Sequence, residues 1–110
     1  GALALAAGQQ ALVDTQCLEQ AAHKARMAHD RLVGMLHKAG LACRGQSTLF
    51  TLVDVAQAYA LWVHLCQHGI VTRRFAERPH CLRIGLPADE AEWSRLACAL
   101  AAWQAGHSAA

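Results

Sequence analysis

From Asp14 to Lys38 the apolar positions Leu18, Ala21, Ala25, Ala28, Leu32 and Leu36 recur at steps of three and four residues, which predicts one long helix with a single buried face. Asp14 or Thr15 can cap its start, Lys38 suits its negative end, and Gly40 can take the left-handed closing position. The segment Ala2 to Val13 also favours helix but is interrupted by Gly8, and its alanines face no partner within the chain. It reads as the remnant of a connecting helix (1–13), leaving 14–110 as the domain proper. Leu41–Arg44 and Thr48–Val53 are short apolar or β-branched runs around the turn residues Gly45-Gln46-Ser47, so two antiparallel strands are expected. Asp54 then caps a second helix carrying Ala58, Leu61, Trp62 and Leu65, and Gly69 ends it. Ile70–Phe75 and His80–Leu86 are further strands joined by Ala76-Glu77-Arg78-Pro79. Alternation places Leu82, Ile84 and Leu86 on one face of the last strand and Cys81, Arg83 and Gly85 on the other. Pro87 opens a closing helix whose stripe is Trp93, Leu96, Leu100 and Trp103. The expected fold is therefore α+β: a small antiparallel sheet of about four strands with three helices on one face, its other face free for a ligand or partner.

Composition narrows the setting. The chain has 110 residues, enough for one modest core, and 55% are hydrophobic, with alanine supplying much of that share. A net charge of +2, without any Lys/Arg run, gives no footprint for nucleic acid. Gly1 to Val13 is too short to span a bilayer and lacks the basic start of a signal peptide, so no membrane association is expected. The five cysteines, Cys17, Cys43, Cys66, Cys81 and Cys98, are odd in number and widely spaced. They read as reduced core residues of a cytoplasmic protein.

Most of the residues that could carry chemistry stand alone. His64 and His68 have the spacing of two imidazoles on one helical face, but no third ligand accompanies them, and no metal is expected. Cys81 lies beside His80 and near Arg83, yet no base or oxyanion donor is evident, so core packing explains it. Lys24 and Lys38 both fit the solvated side of the first helix, and no glycine-rich loop before a helix could cradle a phosphate. No catalytic residue is assigned. The arginines differ: Arg73, Arg74 and Arg83 fall inside strands where nearby acids are scarce, Glu77 being the local one. A permanently charged guanidinium on a rigid strand beside the small Gly85 suits bidentate capture of a carboxylate or phosphate, although an exposed arginine on an open sheet face is the plainer alternative.

The stretch Gly69-Ile70-Val71-Thr72-Arg73-Arg74-Phe75, a short loop, and Cys81-Leu82-Arg83-Ile84-Gly85-Leu86-Pro87-Ala88-Asp89-Glu90-Ala91-Glu92-Trp93 resembles the C-terminal small domain of class I/II pyridoxal-phosphate aminotransferases. Within that group it is most similar to the threonine-phosphate decarboxylases of cobalamin biosynthesis, with histidinol-phosphate aminotransferases as relatives. The resemblance extends over nearly the whole chain and is specific at the two arginine-bearing strands. It implies that Arg83 binds the α-carboxylate and Arg73 the phosphate of L-threonine O-3-phosphate, a small phosphorylated amino acid. Arg74 departs from the histidinol-phosphate branch, which often has an acid there. The resemblance further implies a separate large domain of the same chain that holds pyridoxal phosphate, and a homodimeric parent lyase or aminotransferase. On that footing the present chain binds no cofactor and is inactive alone. A free-standing binding or regulatory module of the same topology is the competing expectation.

Overall fold

The computed structural model describes residues 2–45 and 47–107, with side chains described from Leu12 onward. Its elements are α1 (Ala2–Lys38), β1 (Ala42–Arg44), β2 (Phe50–Asp54), α2 (Ala58–Gln67), β3 (Arg73–Phe75), β4 (Arg78–Gly85) and α3 (Glu90–His107). The order of helices and strand pairs matches the expectation. The four strands form one antiparallel sheet in the order β1-β2-β4-β3, so β2 and β4 are central.

Two glycines set the exits from the helices. Gly40 and Gly69 have φ of +81° and +77°, the left-handed conformation a side chain disfavours. Around the first, the Gly40 N–H donates to His37 O and the Leu41 N–H to Leu36 O, both at 3.0 Å. Around the second, Gly69 donates to Cys66 O at 3.0 Å and Ile70 to Leu65 O at 2.8 Å. This paired closure satisfies the last carbonyls and turns the chain sharply into the next strand. Leu36 and Leu41 are both buried, supplying the apolar contact that accompanies such a closure.

The core lies between the helices and one face of the sheet. Leu32 and Leu36 of α1, Leu61 and Leu65 of α2, Val53 and Leu82 are all fully buried. The stripe expected on the last helix is present, since Trp93, Leu96, Leu100 and Trp103 are all buried.

Several local expectations are corrected. α1 runs unbroken through Gly8 to Lys38, so Asp14 and Thr15 lie inside the helix rather than at its start: one glycine among alanines costs about 1 kcal/mol, too little to stop a long helix. The buried stripe also stops short of its N-terminal half, where Leu18 is 71% exposed. Asp54 belongs to β2 rather than capping α2. It pairs across the ladder with Ala42, and its carboxylate is taken by Arg44, whose Nε lies 2.9 Å from Asp54 Oδ2. The residue before α2 is Gln57, which makes no side-chain capping bond. The turn between β3 and β4 is only Ala76-Glu77, with Phe75 facing Arg78. Pro87 precedes α3, and Asp89 caps it by accepting the Glu92 N–H at 2.9 Å. Of the cysteines, all free, Cys81 is buried, Cys43 half-buried and Cys17, Cys66 and Cys98 exposed, so the expectation of core cysteines holds for the sheet and fails on the helices.

Candidate functional site

Strand alternation divides the central strands into two faces. Val53 faces Leu82 and Thr51 faces Ile84, all buried beneath the helices. On the opposite face one row of cross-strand partners runs Arg44, Leu52, Arg83, Arg73 from β1 to β3. Arg73 and Arg83 thus stand directly opposite each other on the open face. Arg74 is paired with Leu82 and points to the helix side, where its guanidinium carbon lies 4.7 Å from the Tyr59 ring centroid and 4.8 Å from that of Trp62.

The arginines of the described chain therefore sort by partner. Arg44 is held by Asp54, and Arg31 of α1 makes a two-pronged pair with Glu90 at 2.7 and 3.0 Å. That pair raises the Arg31 pKa and holds the Glu90 carboxyl below its usual range, chiefly through the hydrogen bond itself. Arg83 and Arg73 form no ion pair among the described residues and instead rest against aromatic rings. The Arg83 guanidinium carbon is 5.0 Å from the Phe50 centroid, and that of Arg73 is 5.6 Å from Phe75. Sequence reasoning singled out both arginines but missed the two phenylalanines. For Phe50 the signal lies in the register: it faces Gly85, two residues along from Arg83, and is thereby diagonal to Arg83.

Beside the Gly85 end of β4 a cleft of about 280 Å³ opens between Gly69-Ile70-Val71, Leu86 and the α3 residues Glu92 and Arg95. Its walls include Ile84 and Leu96 of the core, and the guanidinium that lines it is that of Arg95 rather than one of the arginine row. Nucleophilic alternatives are weak here. Burial pushes the Cys43 thiol up, away from the thiolate form, and Cys81 is 3% exposed. The His64 and His68 rings are 4.4 Å apart, but each uses a ring nitrogen on a backbone carbonyl, Ala99 O at 2.6 Å and His64 O at 2.9 Å. No group of three or more potential metal ligands occurs among the described residues. No helix among them is long and apolar enough to cross a membrane.

Comparison with known proteins decides the family. The family model for aminotransferase class I and II matches residues 1–100. The chain belongs to this family. It is 41% identical over 92 residues to a threonine-phosphate decarboxylase of Pseudomonas aeruginosa, covering 84% of this chain and 28% of that protein. A second threonine-phosphate decarboxylase, from Sinorhizobium sp, is 46% identical over 66 residues, covering 60% of this chain and 20% of the relative. The chain thus spans no more than about 28% of the length of these relatives. A crystal structure from Burkholderia pseudomallei, presented as a candidate aminotransferase, superposes with a TM-score of 0.69 at 24% identity over 86% of this chain and 30% of that one. This last likeness concerns the fold.

Family membership implies pyridoxal phosphate, and the residues present can be tested against it. Lys24 and Lys38, the lysines of the chain, are both exposed on α1, which packs on the helix-covered side of the sheet. Neither stands beside the arginine row, and the one carboxylate in this part of the open face, Asp54, is engaged by Arg44. These residues do not fit the task of anchoring that cofactor.

Proposed function

We propose that this chain is the substrate-gripping small domain of a cytoplasmic, homodimeric threonine-phosphate decarboxylase of cobalamin biosynthesis, with the cofactor held by a large domain of the same parent and no activity in the 110-residue chain alone. One observation carries the reading. Arg73 and Arg83 are direct cross-strand partners with no carboxylate between them, an arrangement that repulsion makes unfavourable in the free protein. A dianionic or trianionic ligand removes that cost, and a guanidinium offers the paired N–H donors that carboxylate and phosphate accept. Arg83, half-buried on a central strand, takes the α-carboxylate; Arg73, exposed on the edge strand, takes the phosphate of L-threonine O-3-phosphate. The two decarboxylase relatives favour this substrate over that of an aminotransferase.

The test is kcat/KM of the full-length protein with L-threonine O-3-phosphate and with L-threonine. Arg83→Lys keeps the charge but loses the fork, and should lower kcat/KM about thirty- to a thousand-fold with both substrates. Arg73→Ala should penalise the phosphorylated substrate and leave the slow reaction of threonine nearly unchanged. Equal mild effects would make these arginines ordinary surface residues. A product retaining the carboxyl carbon would identify an aminotransferase instead. For the isolated chain, borohydride treatment with pyridoxal phosphate should fix no stoichiometric adduct on Lys24 or Lys38; such an adduct would favour a self-contained module.

A further inference from the structure

We infer that Phe50 is a positioning residue for Arg83: its ring holds the guanidinium in place on the open face of the sheet and leaves its N–H groups for the substrate carboxylate. The inference rests on the reading of Arg83 given above and adds a residue to it.

Arginines of the described chain are held in two different ways. Arg44 and Arg31 are fixed through their N–H groups, which donate to Asp54 and Glu90. A guanidinium held this way already spends N–H donors and part of its charge on a carboxylate. Arg83 instead has its guanidinium carbon 5.0 Å from the Phe50 centroid, with no ion pair to its N–H groups among the described residues. A ring contact of this kind restricts the side chain without spending a carboxylate partner on it. The restriction matters because a free arginine loses considerable rotamer freedom when it is immobilised by a ligand, and holding it beforehand lowers that cost.

The backbone explains why Phe50 can do this. It is the Cα partner of Gly85, on the strand next to Arg83 and two residues along from Leu52, the direct partner of Arg83. Position 85 carries no side chain, and a Cβ built there meets nothing within 4 Å, so the register itself, which sets Phe50 diagonal to Arg83, brings the two together. Diagonal neighbours on one face of an antiparallel pair are within reach of an aromatic side chain. Phe50 itself is half-buried at the first residue of β2, anchored to the ladder and partly screened from water, where a cation–ring contact is stronger than at a fully exposed site.

The experiment uses the full-length protein with L-threonine O-3-phosphate and compares Phe50→Leu, Phe50→Tyr, Arg83→Lys and the double variant Phe50→Leu/Arg83→Lys. Phe50→Leu should raise KM about five- to thirty-fold with a smaller change in kcat, and Phe50→Tyr, which keeps a ring, should restore it. In the Arg83→Lys background Phe50→Leu should add little, because its effect runs through the guanidinium. Additive losses in the double variant, or Phe50→Tyr as poor as Phe50→Leu, would overturn the inference, and the double variant separates this outcome from a general loss of stability. If Arg83→Lys is itself harmless, the assignment of Arg83 fails. If Arg83→Lys is harmful and Phe50→Leu is silent, the role of Phe50 alone fails.

Discussion

On the helix side of the sheet, Val53, Leu82 and Ile84 are sealed beneath α1, α2 and α3, and on the other side of the same strands Arg83, Asp54 and Phe50 face outward with Arg73 and Arg44. The two sides are one residue apart along the chain yet answer to different demands. The covered side is chosen for fit and volume, because burial of leucine, isoleucine and valine is what holds the helices down. The open side carries a like-charged pair, Arg73 opposite Arg83, which cross-strand repulsion makes unfavourable in the free protein. The binding role proposed for the pair would account for that cost.

The sharpest way to break this comparison is to substitute neighbours on β4. Leu82 is fully buried, and Leu82→Ala should remove about 2–5 kcal/mol of stability through lost burial and the cavity left behind. Arg83→Ala, at the next position, should change stability by less than about 0.5 kcal/mol, or raise it slightly by relieving repulsion from Arg73, while abolishing tight substrate binding. Urea unfolding of both variants, set beside their kcat/KM, checks this. Comparable stability losses from both would show that the open face is part of the fold's support and not a reserved surface.

A smaller effect is expected where an arginine lies on the covered side. Arg74 lies against Tyr59 and Trp62 of α2, tying the edge strand β3 to the helix. Arg74→Ala should cost about 0.5–1 kcal/mol in unfolding experiments and leave kcat/KM nearly unchanged. A large kinetic effect with unchanged stability would move Arg74 into the site and reverse its assignment.

Much of this was legible in the sequence because the relevant signals are local. Alternation in 81–86 separated Leu82 and Ile84 from Arg83, and glycine at 40 and 69 marked both helix exits. The entrances were harder to read. Asp54 has the right chemistry to cap α2, but its carboxylate is drawn to Arg44 on the neighbouring strand, a partner ten residues away that propensity cannot weigh. Asp14 has similar cap chemistry and is overridden by the continuity of α1. In the site, arginine within a strand was visible as an anomaly. Phe50 was not, since its contact with Arg83 depends on the β2–β4 register. Pairings between distant segments are set by tertiary structure, and a single sequence shows only the residues available for them.

The smallest expected effect concerns the arginine pair farthest from the site. Arg31 donates twice to Glu90 and stacks over Trp93 at 4.2 Å, clipping α1 to the first turn of α3. Both side chains are well exposed, at 46% and 78%, so solvent screens the pair and its contribution is modest. Its pH dependence has a definite sign. Because Arg31 holds the Glu90 pKa below its unfolded value, the native state releases that proton more readily than the unfolded chain does. The stabilisation is therefore present above the ordinary glutamate range, about pH 4.3, and is lost as pH falls through the lower, folded value. Glu90→Gln removes the carboxylate at every pH. The stability difference between the parent protein and Glu90→Gln should be small and constant near neutrality and should close in acid. Added salt should shrink it at neutral pH, as expected for an exposed pair. Denaturant midpoints measured from about pH 7 down to about pH 3 check this. A difference that stays the same in acid and in high salt would mean that Glu90 supports α3 by packing rather than by its charge.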